Sequence, residues 1–479
     1  MGNIVQILHS LGYNTVQEDY YNKYIYKWNE WYKGNVEDFH SYHVYNGKHN
    51  IKCHRYSLGM AKKIGEDWAN LLMNEKVAIT LEGKAEQEFF DEVCQENNFA
   101  VKANEMQEIG AALGTYAFVP RVSGVKVTPS GGLASDSGSK IKIDYVSADK
   151  IFPISWENGK ITECAFGSTK VIDNDEYYYL QIHVIENGRY VIENHLFRDN
   201  EDNLTETDLT SVEGFENIPA KIRTGSSDRQ FVIGRLNIAN NIDPTIPLGI
   251  SAYANAIDQL KGCDLTYDSY VNEYVLGKKR IMVKLEALNS VDGEPAFDAD
   301  DIVFYELPED SQNDTLIREI NMEIRSAQHN SGLQDMLNSL SAKCGFGENH
   351  YRFNQGSIST ATQVISENST LFRTIKKHEI ILEDVLTEFV RIILRLGNTY
   401  CGKNLDEDVE VSIDFDDSII EDKDKDFQRD LIMLNSGILN AYEFRMKWKN
   451  EDERTAKESL PTMETLLTGE AAPKAPTEV

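Results

Sequence analysis

One continuous helical pattern constrains the fold of this chain more than any other feature of its sequence. It extends over residues 359–396, contains no proline, and repeats apolar side chains at intervals of three, four or seven residues: Val364, Leu371, Ile375, Leu382, Leu386, Phe389, Ile393 and Leu396. This spacing places the apolar side chains on one face of an α-helix. At 1.5 Å per residue the helix would be roughly 60 Å long, far beyond the usual length of about 11–12 residues. Such a helix spans a large assembly or crosses a whole domain.

Two shorter helical patterns flank a strand-rich segment. One helix is expected over about 248–277, after a stretch with two prolines and a glycine, and the other over about 325–344, where Gly345-Phe346-Gly347 ends it. Between them, strand-like runs at 281–285 and 302–307 are joined by an acidic loop. The pattern predicts a small β-rich module inserted between two helices.

The rest of the chain mixes helices with strands. A helix is expected from Ser57, and strand-like runs follow at 116–119, 141–145, 160–166, 177–184 and 190–197. The pairs Asn158-Gly159 and Asn187-Gly188 are typical of tight hairpin turns, whereas residues 198–230 are expected to form a long polar connection. A strand at 409–415 and helical patterning at 427–448 complete an α+β fold with a meandering antiparallel sheet.

Charge and length exclude several classes of protein. The 479 residues include 78 Asp plus Glu and 48 Lys plus Arg, a formal net charge of −30, which excludes simple electrostatic attraction to nucleic acid. The length exceeds the ~250–300 residues at which one core stops growing, so two or more packed units are expected. The six cysteines are widely spaced, and neither a secretory leader nor a membrane-spanning pattern occurs. We therefore expect reduced cysteines and a cytoplasmic protein.

The N-terminal segment is unusually aromatic, and it leaves two structural alternatives open. Its aromatic side chains would cover a helix pair packed on the rest of the fold, or an arm packed on a neighbouring subunit. The same region contains the one cluster of residue types that bind metals, namely His40, His43, His49, Cys53 and His54. Their spacing matches no zinc motif. We expect no metal and no cofactor, although the sequence leaves metal binding by this cluster undecided.

Catalytic motifs do not support an enzyme. No phosphate-binding loop occurs, because Gly138-Ser139-Lys140 has the wrong order and spacing. The acidic run from Asp422 resembles the start of a calcium loop but has Phe427 where the turn needs glycine and Met433 where the site needs glutamate. His378-Glu379 lacks the second histidine of a zinc protease. No catalytic residue is assigned.

Several segments of the sequence resemble the portal proteins of tailed double-stranded DNA bacteriophages. They are WNEWYKG at 28–34 with Phe39-His40, RYSLGMAKK at 55–63, DWANLLMNE at 67–75, PLGIS at 247–251, and TATQVISEN at 360–368. The likeness covers nearly the whole chain in order, although no segment is a catalytic signature. Another non-enzymatic capsid or tail-base structural protein is the alternative.

The resemblance implies a ring of twelve subunits at one vertex of the capsid, which assembles in the bacterial host cytoplasm. DNA would pass through the ring during packaging and ejection, driven by a separate terminase. The expected partners are the large terminase subunit, a head–tail adaptor, and the major capsid and scaffolding proteins. The implied parts are an aromatic-rich arm at 1–55, an α/β wing at 56–246, a stem helix at 247–278, a clip at 279–324, a second stem helix at 325–344, a channel loop at 345–357, the long wing helix and return strand at 358–426, and a crown with a mobile tail at 427–479.

Two groups of residues are the candidates for contact with DNA. The candidate channel loop comprises Phe346, Glu348, Asn349, His350, Tyr351, Arg352, Phe353, Asn354 and Gln355. The candidate stem charges are Asp258, Asp264, Asp268, Glu273, Lys278, Lys279 and Arg280. The acidic members would line the bore and keep phosphates from binding, or lie on a solvated outer face. The basic members and Arg352 would contact the DNA backbone, or would stabilise helix ends and form ion pairs between subunits.

Overall fold

The computed structural model describes most of the chain, in two compact units, Met1–Phe415 and Asp416–Val479. The described residues are 2–45, 47–74, 77–124, 126–127, 133–134, 138–200, 203–277, 280–283, 304–306, 317–320, 323–352, 361–415, 423–449, 451 and 453–460. The acidic loop between 284 and 303 lies outside them. The architecture is α+β, as the sequence predicted.

The helices of the first unit include the three that the sequence analysis emphasised. They are α1 (Gly2–Ser10), α2 (Glu18–Tyr20), α3 (Tyr26–Tyr32), α4 (Glu37–His40), α5 (Met60–Leu72), α6 (Lys84–Glu96), α7 (Phe99–Leu113), α8 (Ile257–Leu276), α9 (Ser326–Lys343) and α10 (Ala361–Tyr400). A π-helical turn, Tyr21–Ile25, joins α2 to α3. The second unit contains α11 (Lys423–Asn435), α12 (Ala441–Lys449) and α13 (Glu453–Glu458). The forty-residue α10 confirms the long helix.

The strands form several small sheets around one larger sheet. They are β1 (Ser41–Tyr45), β2 (Asn50–His54), β3 (Ala78–Leu81), β4 (Tyr116–Ser123), β5 (Lys126–Val127), β6 (Leu133–Ala134), β7 (Lys140–Ser147), β8 (Ile151–Glu157), β9 (Lys160–Ile172), β10 (Asp175–Glu186), β11 (Arg189–Asn200), β12 (Asn203–Thr207), β13 (Lys221–Arg223), β14 (Val232–Gly234), β15 (Arg280–Val283), β16 (Phe304–Glu306), β17 (Ile317–Ile320) and β18 (Val411–Asp414). The larger sheet has the order β12-β11-β10-β9-β8, with β13 paired to β11. This order confirms the antiparallel meander for the runs at 160–166, 177–184 and 190–197. The runs at 116–119 and 141–145 were wrongly included in it, because β4 and β7 form a separate sheet with β14.

Two hairpin turns of the meander have the backbone conformation that their sequences predicted. Asn158 and Gly159 have φ values of 51° and 76°, and Asn187 and Gly188 have the same values. Positive φ at both central residues matches the right-handed twist of the flanking strands. The prediction of a long polar connection over 198–230 is wrong in part. It contributes β12 and β13, and Leu209, Val212 and Phe215 pack against Tyr177 and Leu196 in a small core.

The C-terminal half of α10 lies at the centre of the first unit. Phe389 is fully buried; its ring stacks on Phe99 with a centroid distance of 4.7 Å and meets Phe118 edge-on at 5.4 Å. The predicted apolar face is buried from Ile375 to Leu396. The long helix is therefore a core element of its own chain, packed against α6, α7 and β4.

The N-terminal aromatic residues pack mainly on their own chain. Tyr20, Tyr21, Trp28 and Trp31 are buried, and the Tyr21 hydroxyl donates a hydrogen bond to the Ile151 carbonyl at 2.8 Å. This packing matches the first of the two alternatives for the segment. The β1–β2 hairpin that follows was not predicted.

The helix expected from about residue 248 begins later, at Ile257, after a 3₁₀ turn at Ala254–Ala256. Backbone groups of the preceding residues bond to the end of α7 instead of forming a helix. The Gly249 amide donates to Thr115 Oγ1 at 2.9 Å, and the Ala252 amide donates to the Ala111 carbonyl at 2.8 Å. The segment PLGIS is therefore a strap across the C-terminus of α7.

This strap requires glycine at its closest approach. A Cβ atom on Gly249 would overlap the carbonyl oxygen of Gly114. Gly114 has a φ of +90°, a backbone conformation that favours glycine. We expect Gly249→Ala to lower the free energy of unfolding by about 1–3 kcal/mol through overpacking, measured as a lower apparent melting temperature.

Gly332→Ala is the matched control, because a Cβ there would lie 3.9 Å from Thr266 Cγ2, an ordinary contact. Inside α9 that change should leave the melting temperature unchanged or raise it. Equal melting temperatures for Gly249→Ala and the wild type would contradict the strap.

Candidate functional site

Helices α8 and α9 run antiparallel. The end of α8 and the start of α9, which flank the β15–β17 segment, therefore lie side by side. Gly262 faces Met336, Gly332 faces Thr266, and Glu273 bonds to Arg325, so the pairs advance along α8 as they retreat along α9. Glycine at position 262 leaves room for the Met336 side chain, whose sulfur would lie 2.9 Å from a Cβ there. The inserted segment is thereby held between two adjacent helix ends. Its described strands form a sheet of the order β16-β15-β17; β17 was not predicted.

An ionic clamp closes the open end of this helix pair. The Arg325 guanidinium donates to Glu273 through Nε at 2.9 Å and Nη2 at 2.8 Å, and His329 Nε2 lies 3.0 Å from Glu273 Oε2. The hydrogen bonds from Arg325 and then His329 hold the pKa of Glu273 far below its usual range. A two-pronged bond of this kind fixes direction as well as distance. The candidate Glu273 therefore joins the two helices.

Asp264 and Asp268 lie in the interior of the chain. Their residues are 3% and 5% exposed. Asp264 accepts hydrogen bonds from the Leu58 amide at 2.7 Å and the Ser57 hydroxyl at 3.1 Å, and Asp268 accepts one from the Tyr56 amide at 3.0 Å. In this chain both carboxylates thus face the segment before α5, and neither a bore nor a solvated outer face.

His40 is the third donor to Asp264. Its Nδ1 accepts a hydrogen bond from the Val36 amide at 2.7 Å, so Nε2 carries the proton that faces Asp264 Oδ2 at 2.9 Å. His40 is fully buried and occupied by these two bonds. Across the part of the chain that the structure describes, no group of three or more His, Cys, Asp or Glu side chains is arranged to hold a metal ion.

Of the other candidate charges of this region, the structure describes Asp258 and Arg280. The Asp258 side chain is 90% exposed, with Lys261 at 3.5 Å. Arg280 opens β15, opposite Ile320. Lys278 and Lys279 lie outside the described residues, so their roles stay predictions.

The candidate channel loop begins as a packed aromatic turn. The Phe346 ring stacks on Trp68 of α5, with centroids 4.7 Å apart, and on His350, with centroids 4.4 Å apart. Trp68 Nε1 donates to the Cys344 carbonyl at 3.2 Å. Phe346 and Tyr351 are buried. These contacts fix the start of the loop on the body of the first unit.

Two further described members of the loop lie at the surface. Glu348 and Arg352 are exposed, and Arg352 Nε donates to the Asn349 carbonyl at 3.2 Å. His350 Nε2 lies 3.4 Å from Asp67 Oδ2. Phe353, Asn354 and Gln355 lie outside the described residues. The structure thus brings Phe346, His350 and Tyr351 together and leaves Glu348 and Arg352 at the surface.

Comparison with known proteins decides the family. The family model described as "Phage portal protein, SPP1 Gp6-like" matches residues 15–441, most of the chain. The chain belongs to this family of phage portal proteins. No curated protein matches it.

Membership gives the coarse function. Phage portal proteins are in general structural, non-enzymatic components of the virion capsid, where the family forms a ring that interacts with DNA and other phage proteins. None of the helices in the described parts of this portal protein is both long enough and apolar enough to cross a membrane.

Sequence analysis missed the anchoring role of two of the candidate stem charges. Asp264 and Asp268 are four positions apart and so share one face of α8, and the buried Cys263 and Leu260 lie beside that face. Carboxylates so close to an apolar stripe were a sign of buried anchors. Their partners, His40 and residues 56–58, are more than 200 positions away in the sequence, so no local pattern could identify them.

Removal of the buried anchor should destabilise the chain. Asp264→Ala leaves the donors of His40, Ser57 and Leu58 without an acceptor, and we expect a loss of about 2–5 kcal/mol in the free energy of unfolding. Denaturant unfolding followed by tryptophan fluorescence measures it. Asp258→Ala, on the same helix but exposed, should change stability by less than about 0.5 kcal/mol. Equal stability of the two variants would contradict the anchor.

The clamp should weaken in acid. A carboxyl group whose pKa is depressed on folding stabilises the fold above its ordinary pKa, near 4.5 for Glu273, and loses that effect as the pH falls. We expect amide exchange at the adjoining ends of α8 and α9 to be faster in Glu273→Gln than in the wild type at about pH 5, with the difference shrinking towards about pH 3. Asp258→Asn is the control. A difference that stays constant over this range would contradict the clamp.

Proposed function

We propose that this portal protein closes into a ring at one capsid vertex and forms the conduit through which DNA is packaged and ejected. The observation that carries the proposal is the family match over residues 15–441. The antiparallel pair of α8 and α9 supports it, because the pair holds an inserted β-rich segment at one end. Such a hairpin of helices suits a wall element with a docking module at its tip.

The parts of the ring are assigned by the same reasoning. Helices α8 and α9 form the stem, residues 279–324 the clip, and residues 345–357 the channel loop. The α/β layers at 56–246 together with 358–426 form the wing, and residues 427–479 form the crown. The clip would grip the large terminase subunit during packaging and the head–tail adaptor afterwards. The wing would meet the major capsid and scaffolding proteins.

The acidic balance suits a conduit. Each phosphate neutralised by a protein cation releases counterions and adds affinity, and DNA that must slide in both directions should not be held. Each copy carries a formal charge of −30. Among the described candidates, Asp258 and Glu348 are exposed carboxylates that could line a bore, whereas Asp264 and Asp268 are buried within the chain. The energy for movement would come from a separate terminase.

Electron microscopy of the purified full-length chain tests the proposal. We expect negatively stained rings with a central hole, of twelve subunits by family resemblance. Solitary chains, even after co-expression with the capsid and scaffolding proteins, would contradict it.

A second experiment tests whether the chain is needed for DNA packaging. Phage particles assembled without the chain should contain no packaged DNA, and supply of the wild-type chain should restore filled heads. Heads that fill equally well without the chain would favour the alternative, another capsid or tail-base structural protein.

A further inference from the structure

A cleft lies between the C-terminal half of α10, the β8–β9 turn, and the segment around β14. Its volume is about 720 Å³. The cationic side chains that line it are Lys160, Arg229, Arg235, Arg391 and Arg395. The lining also includes four carboxylates, those of Asp228, Glu383, Asp384 and Glu388, so the cations exceed the anions by one.

Three of these cations already have anionic partners in the cleft. Arg229 grips Glu388 with Nε and Nη2, both at 2.6 Å, and Lys160 approaches Glu388 at 3.3 Å. Arg395 lies 3.3 Å from Glu407 and 3.5 Å from Asp228. These ion pairs build the wall of the cleft.

Arg235 and Arg391 have no such partner. Neither guanidinium forms an ion pair or hydrogen bond with any residue that the structure describes, although Glu383 and Asp384 also line the cleft. Arg391 is exposed, but Arg235 is half-buried, and its burial lowers the pKa of the guanidinium. A guanidinium keeps its charge in proteins, so its partial burial without an anion costs free energy. Arg235 is therefore a half-buried cation without an anionic partner among the described residues of its own chain.

We propose that this cleft receives a carboxylate of a second copy of the chain, which pairs with Arg235. The inference rests on the proposed ring. Two observations favour this occupant over DNA or a free phosphate. The large acid surplus repels a polyanion at long range, while it supplies carboxylates on every neighbouring copy. The cleft wall also includes the apolar side chains Ile233, Pro247 and Ile392, which suit a protein surface.

Such a contact would set the register between subunits. Copies with the same large negative charge repel one another, and a local opposite charge both offsets the repulsion and selects one orientation. Arg235 is held by β14 and the strap at Gly249, so its position is fixed relative to the body of the first unit.

Charge reversal tests the contact. We expect Arg235→Glu to reduce the fraction of chains in rings by about tenfold or more, because the buried pair becomes a repulsion. Arg189→Glu is the matched control: Arg189 is exposed at the β10–β11 turn, makes no ion pair among the described residues, and gives the same change in net charge. Analytical ultracentrifugation and negative-stain imaging measure the ring fraction.

Two outcomes separate this inference from the proposed function. A wild type that never forms rings would overturn both. Rings that form equally well in the wild type and in Arg235→Glu would overturn the inference alone. If Arg235→Glu fails to fold by circular dichroism, the exposed Arg391→Glu decides, and it should also lower the ring fraction relative to Arg189→Glu.

Cross-linking identifies the occupant. Arg235→Lys keeps the charge and places an amine in the cleft, which a carbodiimide joins to a nearby carboxylate. In rings assembled from isotopically light and heavy chains, we expect cross-links from this position to a carboxylate of a differently labelled chain. Cross-links confined to one chain would overturn the proposal, as would ring assembly that responds to Arg235→Glu only when inorganic phosphate or DNA is present.

Discussion

Two buried carboxylates on one face of α8 hold together segments that lie far apart in the sequence. Asp264 gathers the His40 ring, the Ser57 hydroxyl and the Leu58 amide, and Asp268 takes the Tyr56 amide. A buried carboxylate is tolerated only when its oxygens are hydrogen-bonded. Helix α8 therefore cannot keep its place unless residues 36–58 keep theirs. The N-terminal segment and the proposed stem helix consequently form one structural unit, with the β1–β2 hairpin carried between them.

The helix pair α8 and α9 is fixed at two separate places. Asp264 and Asp268 secure the middle of α8 to the body, and Glu273 secures the last turn to Arg325 and His329. Asp264 and Glu273 are nine residues apart, which corresponds to roughly 13 Å along the helix. The segment between the helices thus follows a helical hairpin that is fixed at two levels. The buried Asp264 and Asp268 bond to the body, and Glu273 bonds to Arg325 at the tip. Separation of the two helix ends at the tip would have to break the clamp.

Local patterns predicted the elements of this fold better than the contacts between them. The apolar face of α10 and the Asn-Gly hairpin turns could be predicted, because helical periodicity and positive φ depend on residues that are close in the sequence. The late start of α8 could not be predicted. The sequence around Ile250 and Ala254 has a helical pattern, but hydrogen bonds from the backbone of the strap to Thr115 and Ala111 override it. The candidate site divided in the same way. The sequence identified Asp264 and Glu273 as notable charges, but only the fold supplies the partners that determine their roles.

Net charge describes the surface of this protein poorly, because many of its charges are already paired. Asp264 and Asp268 are buried against hydrogen-bond donors, Glu273 is clamped, and Glu388 is shared by Arg229 and Lys160. The carboxylates that remain exposed give a ring its repulsive field, and the same field opposes the approach of one copy to the next. The proposed conduit therefore needs local cations at its subunit contacts. The unpaired, half-buried guanidinium of Arg235 satisfies that requirement at a position where the backbone on either side is fixed.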